Sequence, residues 1–357
     1  MEFLAFLFTY AALIIALINF FTIRRPLYSV DFVHPVTVLV PMRNEEIHAQ
    51  ECLESIATQV GVNKLKVIVI DDASEDSTLA IAQEFAARDP RFSVIALKDK
   101  PADWLGKTWA LNNGFNQSSG SYLVSLDADV RLEKTALKDS LHTFEKLNLD
   151  FLSVYPRQIA ITFAERLVQP LLHWSWMSSL LLRFAEALPH PTTAVANGQF
   201  FIVKSSALSA VGGYESVKNE VIDDMALARK LLRARYKGTV LEGSTIASTR
   251  MYSSSDEIQA GYGKSLWKAF GGPLGSLGVI TVIFFSSIAP FLLALTGNPI
   301  GFITSLFIIT SRILSAIRGG DRVMDAFLHP LSAAKLISLI IFSHRNHSTI
   351  TWKNRAL

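Results

Sequence analysis

The feature that most constrains this chain is a pair of apolar blocks, one at each end. Phe3 to Phe21 is interrupted only by Thr9, Tyr10 and Asn19. At about 1.5 Å of rise per residue, a helix of that length crosses the hydrocarbon core of a bilayer. Arg24 and Arg25 follow at once. A cleaved leader has its basic residues before the apolar run and a small-residue site after it. Here the order is reversed. Residues 1–25 are therefore expected to be a retained transmembrane anchor whose C-terminal side faces the cytoplasm.

At the other end, Leu277 to Leu295 and Pro299 to Ile317 are two further span candidates, turned back by a short TGNP loop. Arg312, near the end of the second, is expected to reach the interface by snorkelling. The loop Arg318 to Arg322 is then cytoplasmic. The last apolar piece, Ala326 to Phe342, contains His329, Pro330 and Lys335. If it spans, Arg345, Lys353 and Arg355 face outward, against the positive-inside rule. If it is a kinked re-entrant or interfacial segment, they stay inside. Both readings stand. The expectation is a multi-pass protein of the cell membrane, with membrane helices over 277–342 and a cytoplasmic tail at 343–357.

Composition agrees. Half the residues are hydrophobic and only 18% are charged, against about a quarter in soluble domains. A net charge of +3 with no basic block argues against a nucleic-acid partner. One cysteine, Cys52, allows no internal disulfide and no Cys-rich zinc site. It is expected as a small buried residue on a helix. The oligomeric state is left open.

Between the blocks the character changes to α/β, with strands and helical patterns alternating. Strands are expected at VTVLVP, KVIVID, FSVIAL, YLVSLDAD and FLSVYP. Helices fit at Glu45–Gln59, Ser77–Arg88, Lys107–Gln117 and Lys134–Leu147, the second opened by Asp76 and Ser77. The catalytic domain is expected over 36–250, with an interfacial linker at 251–276. Within it, 161–188 is strongly apolar with Trp174 and Trp176 near its middle. It reads as an amphipathic helical pair at the membrane surface, broken by Pro170.

Four stretches carry candidate chemistry. TVLVPMRNEE ends a strand in a polar cluster, which alone is an ordinary strand-to-helix loop. VIVIDDASEDST runs a strand into acids. In open α/β sheets ligands bind past the strands' C-terminal ends. A helix cap accounts for Asp76 but not for both Asp71 and Asp72. SLDADV puts Asp127 and Asp129 two apart at another strand end, where two carboxylates plus substrate phosphates can hold Mg²⁺ or Mn²⁺. VIDDMALARKLLRA opens a helix with Asp223 and Asp224. These either offset the helix dipole or supply a general base.

Taken together and in order, these stretches resemble glycosyltransferase family 2, the inverting enzymes of GT-A fold. The likeness runs from VLVPMRNEE through VIVIDDASEDST, GKTWALNNG, SLDADV and ANGQFFIVKSSALSAVGGY to VIDDMALARKL, roughly Thr37 to Lys237. It implies a Rossmann-like sheet binding a nucleotide-sugar through Pro41, Arg43, Glu45, Asp71, Asp72, Lys107 and Asp127. Asp127 and Asp129 would hold the metal. Asn197, Gly198 and Gln199 would lie in the acceptor or donor region. The family's Glu-Asp pair is Asp223-Asp224 here, which makes Asp224 the base and Asp223 its neighbour.

The Gln-x-x-Arg-Trp motif of processive polysaccharide synthases is not found. Instead, Arg250-Met251-Tyr252, Trp267, His329 to Leu331 and the ending TWKNRAL resemble the membrane glycosyltransferases of carotenoid biosynthesis. That likeness adds Arg250 and Trp267 to the acceptor or donor region. It implies transfer from a nucleotide-sugar, UDP-glucose by family expectation, to a lipid-soluble acceptor such as a carotenoid acid. A polyprenyl-phosphate or hopanoid-linked glycosyltransferase is the alternative enzyme. A non-catalytic membrane scaffold that binds nucleotide-sugar is the alternative from another class.

Overall fold

Apolar runs that alternate between two faces build the central sheet. In the computed structural model, which describes residues 1–28, 30–346, 351–352 and 355–356, the chain divides into two compact units. One is Arg24–Arg157 with Phe184–Thr249. The other is Met1–Ile23, Gln158–Arg183 and Arg250–Leu357. Of the basic tail, Lys353 and the side chain of Arg355 lie outside the described residues, as does His347.

The first unit holds strands β1 (Val36–Met42), β2 (Leu65–Asp72), β3 (Phe92–Leu97), β4 (Tyr122–Leu126), β5 (Val130–Leu132), β6 (Phe151–Tyr155), β8 (Phe200–Lys204), β9 (Gly238–Glu242) and β10 (Ala247–Thr249), while β7 (Arg157–Gln158) ends its first segment. The main sheet has the order β3-β2-β1-β4-β8-β6-β9. β1 to β4 are mutually parallel, and β8 runs antiparallel between β4 and β6. Val38, Val40, Val67 and Val69 pack on one face against Cys52, Leu53 and Ile56 of α2 (Glu46–Ala57) and Phe85 of α3 (Thr78–Arg88). Leu39, Ile68 and Ile70 pack on the other, against Ala110 and Leu111 of α4 (Gly106–Gln117) and Leu227 and Leu231 of α9 (Asp223–Arg233). Burial on both faces explains why these strands read as nearly unbroken apolar runs. α5 (Ala136–Lys146) covers the first face through Leu137, Leu141 and Phe144. Cys52 is fully buried, and burial pushes its thiol up to about 12.

The expected strands appear in place, with one difference. YLVSLDAD stops as a strand at Leu126 and turns through Asp127 to Asp129. β8 and β9 were not expected. Phe200–Lys204 lies between short polar clusters with no clear alternation, so only its pairing shows it to be a strand.

The second unit contains the four helices long and apolar enough to cross a membrane: Glu2–Thr22 (α1), Pro273–Leu295, Pro299–Gly319 (α14) and Val323–Asn346. Pro273–Leu295 is α12 (Pro273–Ile283), a π turn at Phe284–Ile288, and α13 (Ala289–Leu295). Val323–Asn346 is a 3₁₀ turn at Val323–Leu328 followed by α15 (His329–Asn346). Residues 251–276 contain α10 (Ser255–Gly263) and the short α11 (Leu266–Ala269).

Two expectations fail here. Pro170 does not break its helix: α6 (Phe163–Ser179) runs straight through it. A single proline removes one N–H from the helical ladder, and that loss is tolerated at this position. The helix ends further on, where the buried Asn19 amide donates to the carbonyls of Met177 (3.0 Å) and Leu180 (2.7 Å), and its oxygen accepts from Leu182 N–H (3.1 Å). The carbonyls lie where α6 ends and the N–H where α7 (Leu182–Ala187) begins, so none of them has a partner within its helix. Arg312 does not snorkel. It is 3% exposed, and its Nη1 donates to the Pro170 carbonyl at 2.9 Å. A buried partner on a neighbouring helix replaces the route to water.

Candidate active site

The loops that leave β1 and β2 lace together. Arg43 Nη1 donates to the carbonyls of Asp72 (2.7 Å) and Ala73 (2.5 Å), and its Nη2 pairs with Glu75 at 3.1 Å. Asn44 N–H donates to the Ser74 hydroxyl (3.0 Å), Glu75 N–H to the Asn44 side-chain oxygen (2.8 Å), and Glu45 N–H to the Thr78 hydroxyl (2.7 Å). Asn44 and Ala73 both adopt positive φ, +50° and +52°, which tight reversals of this kind require. Asp76 does open α3. Its carboxylate accepts from Thr78 N–H (3.0 Å) and from Glu46 N–H (3.1 Å), which ties the starts of two helices together.

Asp71 and Asp72 end β2 at 1% and 4% exposure. Asp71 Oδ2 accepts from Ser74 N–H at 3.1 Å, while its buried Oδ1 has no partner. Asp72 lies over Gly106 at the start of α4, where a Cβ would come within 2.6 Å of its Oδ2. Pro41 is level with Ile70, and Met42 with Asp71, in the parallel register.

The second group gathers around Gly198. Lys107, in the first turn of α4, places its ammonium 2.6 Å from Asp127 Oδ1 and 3.5 Å from the Gly198 carbonyl. Gly198 N–H donates to Asp224 Oδ2 at 2.6 Å, and Met225 N–H donates to Asp224 Oδ1 at 2.7 Å. A Cβ at Gly198 would lie 3.2 Å from both Lys107 Nζ and Asp224 Cβ, so close approach of the backbone favours glycine. Asn197 and Gln199 brace this point. Their side chains bond each other at 3.0 Å, and Gln199 N–H donates to Asn197 Oδ1 at 2.8 Å.

Beneath them sits Ser153, which the sequence reading missed. This buried hydroxyl on β6 accepts from Asn197 N–H (2.8 Å) and donates to the Asn197 carbonyl (3.1 Å). The available signal was a lone polar residue inside the apolar strand FLSVY. Trp104 and Trp109, which flank Lys107 in sequence, pack edge to face at 5.2 Å.

The electrostatics separate these groups. Burial works against the Lys107 charge, but Asp127, Asp223 and Asp224 outweigh it and hold the ammonium above its ordinary pKa. Burial, then the like charge of Asp223, pushes Asp224 up to about 7. Burial, then Asp127 and Glu45, also raises Asp129. Thr249 favours the ionised form of Asp129, although no hydrogen bond of ordinary geometry reaches the buried Oδ1.

Among the described residues no set of three or more His, Cys, Asp or Glu side chains is arranged as a complete metal cage. The candidate donors here are two, Asp127 and Asp129, the latter with an unpartnered buried oxygen, while Glu45 acts on Asp129 only through its charge. That suits a hard cation bound by one or two carboxylates plus substrate phosphates. Arg250 and Trp267 belong to the other unit and have their own partners there. Arg250 bonds Glu165 at 2.9 Å, and Trp267 N–H bonds Ser343 at 2.9 Å.

Residues 37–212, which carry most of this mixed sheet and the acids at its strand ends, match the family description glycosyl transferase family 2. The chain carries a glycosyl transferase family 2 domain. Among curated proteins this glycosyltransferase is 28% identical over 271 residues to the 4,4'-diaponeurosporenoate glycosyltransferase of Staphylococcus aureus (strain USA300), across 74% of this chain and 70% of the relative. Among solved structures it resembles the mannosyltransferase PcManGT from Pyrobaculum calidifontis, solved in complex with GDP-Man and Mn²⁺. The TM-score is 0.55 at 17% identity, over 97% of this chain and 98% of that one. The fold is GT-A, with candidate membrane helices at both ends.

Proposed function

We propose that this glycosyltransferase moves a hexose from a nucleotide-sugar to a lipid-soluble acceptor, inverting the anomeric carbon. The observation that carries this reading is the meeting of Lys107, Asp127 and Asp224 around Gly198. Two backbone N–H groups hold the two oxygens of Asp224, so the carboxylate is aimed before substrate arrives. Its raised pKa suits a base that takes a proton from an acceptor hydroxyl near neutrality. Lys107 supplies fixed positive charge for a diphosphate. Asp71 and Asp72, at the C-terminal end of β2, are assigned to the nucleotide, with the buried Asp71 Oδ1 free to accept a bond from it.

Asp127 and Asp129 would hold Mg²⁺ or Mn²⁺, which supplies Lewis-acid stabilisation of the leaving diphosphate when bound. PcManGT, with Mn²⁺ in its complex, supports this assignment. We assign a carotenoid acid as acceptor on the strength of the Staphylococcus relative's name, and UDP-glucose as donor on the family expectation alone. A carboxylate acceptor is already ionised near neutral pH, so for it Asp224 orients more than it deprotonates. We assign the catalytic unit to the cytoplasmic side of the cell membrane, a reading supported by the basic residues flanking the candidate spans.

The test is transfer from labelled UDP-glucose in membranes containing the protein and a carotenoid acid, with mass spectrometry of the extracted lipids. A β-glucosyl ester is expected. A sugar-phosphate lipid as product would refute the acceptor assignment. No transfer from any nucleotide-sugar with Mn²⁺ or Mg²⁺ present would refute the catalytic reading itself.

A further inference from the structure

The helix Val323–Asn346 is long and apolar enough to cross a membrane, but its hydrogen bonds place both of its ends on one side. α1 and α14 set the frame. At one end Asn298 Nδ2 donates to Glu2 at 2.6 Å; at the other Arg318 Nε donates to the Phe20 carbonyl at 2.5 Å. α13 turns into α14 through Thr296–Asn298, so Leu295 lies at the Glu2 end and Pro273 at the far end with Gly319. Val323 follows Gly319 closely and therefore starts on the Gly319 side.

Its other end returns there. Ser343 Oγ donates to the Gly263 carbonyl at 2.5 Å and accepts from Trp267 N–H at 2.9 Å. His344 Nε2 lies 2.7 Å from the hydroxyl of Ser276, in the first turn of α12. Between these ends the segment dips. The His329 ring packs on Trp174 at 4.7 Å, and the Trp174 indole N–H donates to Ser311 at 2.9 Å. Ser311 is eight residues short of Gly319 on α14, or about 12 Å along the axis. That is less than half of the roughly 30 Å hydrocarbon core.

We infer that Val323–Asn346 is a re-entrant segment confined to one leaflet, deepest at His329-Pro330 where the 3₁₀ turn passes into α15, and that three of the four candidate helices span. Two independent features of the sequence fit. Lys335 stands at the middle of the segment, where a span would strand its charge at the bilayer centre, and no ion pair holds it among the described residues. In a return path it is six residues past the apex and can reach the interface. Charge gives the second. With re-entry, Arg24, Arg25, Arg318, Arg322 and Arg345 all flank one side of the membrane, and the Glu2 and Thr296–Asn298 side has no Lys or Arg. The exposed Phe327 and Leu331, each 56%, bracket the apex and face acyl chains of that single leaflet.

This inference is independent of the reaction and of which way the protein is inserted. Cys52 is the only cysteine and is buried, so single-cysteine labelling has a low background. Tyr28→Cys, Thr296→Cys and Asn346→Cys are treated with a membrane-impermeant maleimide before and after permeabilisation. Asn346→Cys is expected to label with Tyr28→Cys, and Thr296→Cys under the opposite condition. Labelling of Asn346→Cys together with Thr296→Cys would overturn the inference. An epitope placed after Leu357 reads the same partition if Asn346→Cys does not accumulate: exposure on the Thr296 side overturns it, and exposure on the Tyr28 side supports it.

Discussion

β2 and β4 lie on either side of β1; β2 ends in carboxylates, and β4 runs into them in the turn that follows. Their acids nevertheless have different surroundings. After β2, much of the negative charge is met by protein N–H groups: Asp71 by Ser74, Asp76 by Thr78 and Glu46. The carbonyls of that loop are met by Arg43. After β4, Asp127 meets the Lys107 ammonium, and Asp129 sits among the like charges of Asp127 and Glu45. The first group is largely satisfied by its own fold. The second stays short of positive charge. The same sequence signature therefore yields a framework at one strand end and an acid pair short of positive charge at the other, the pair we propose for the cation.

The sharpest way to break this comparison lies at the residue that both loops leave untouched. Asp224→Asn is expected to lower transfer to a hydroxyl acceptor by about 10²–10⁴-fold, with nucleotide affinity nearly unchanged by calorimetry. Loss of nucleotide binding in that variant would put Asp224 in the donor site instead. Its raised pKa also sets the sign of the pH profile. A base works in its ionised form, so kcat for a hydroxyl acceptor falls as pH drops through about 7. A carboxylate acceptor flattens that limb.

Next in size, Asp129→Asn is set against Asp71→Asn. The Asp129 variant is expected to lose the dependence of nucleotide affinity on Mn²⁺, with about 10-fold weaker binding in its presence. The Asp71 variant should weaken nucleotide binding whether or not metal is present. Equal metal dependence in the two would erase the distinction between the strand ends. The smallest effect belongs to Asp76→Ala, which removes carboxylate bonds to two helix starts. A loss of about 1–2 kcal/mol in denaturant unfolding of the detergent-solubilised protein is expected, with kcat unchanged. A large fall in kcat would move Asp76 from framework to chemistry.

Much of this was legible in advance, for a physical reason. Strands buried on both faces must be apolar throughout, so VTVLVP and KVIVID stood out, and the acids at and after their ends marked the end of the sheet where the candidate site residues lie. The N-terminal Asp pair of α9 was visible for the same reason: an apolar periodic helix with acids in its first turn. Ser153 was hidden because one hydroxyl in a strand carries no pattern. Its role appears only when β6 is placed under the Asn197 loop. β8 was hidden because its antiparallel insertion depends on partners distant in sequence. Pro170 and Arg312 misled because their usual effects, breaking a helix and seeking water, were outweighed by neighbours that local sequence does not name.

The sequence by itself determined the candidate membrane helices, the α/β middle and the ordered acidic stations, because hydropathy, periodicity and strand-end chemistry are local properties. Only the tertiary structure decided which acids stay unsatisfied. Gly198 brings Lys107 and Asp224 together from α4 and α9, and β4 puts Asp127 within reach of the same lysine. Whether a carboxylate serves the fold or the reaction depends on what stands within a few ångströms of it, and for these residues those neighbours are far away along the chain.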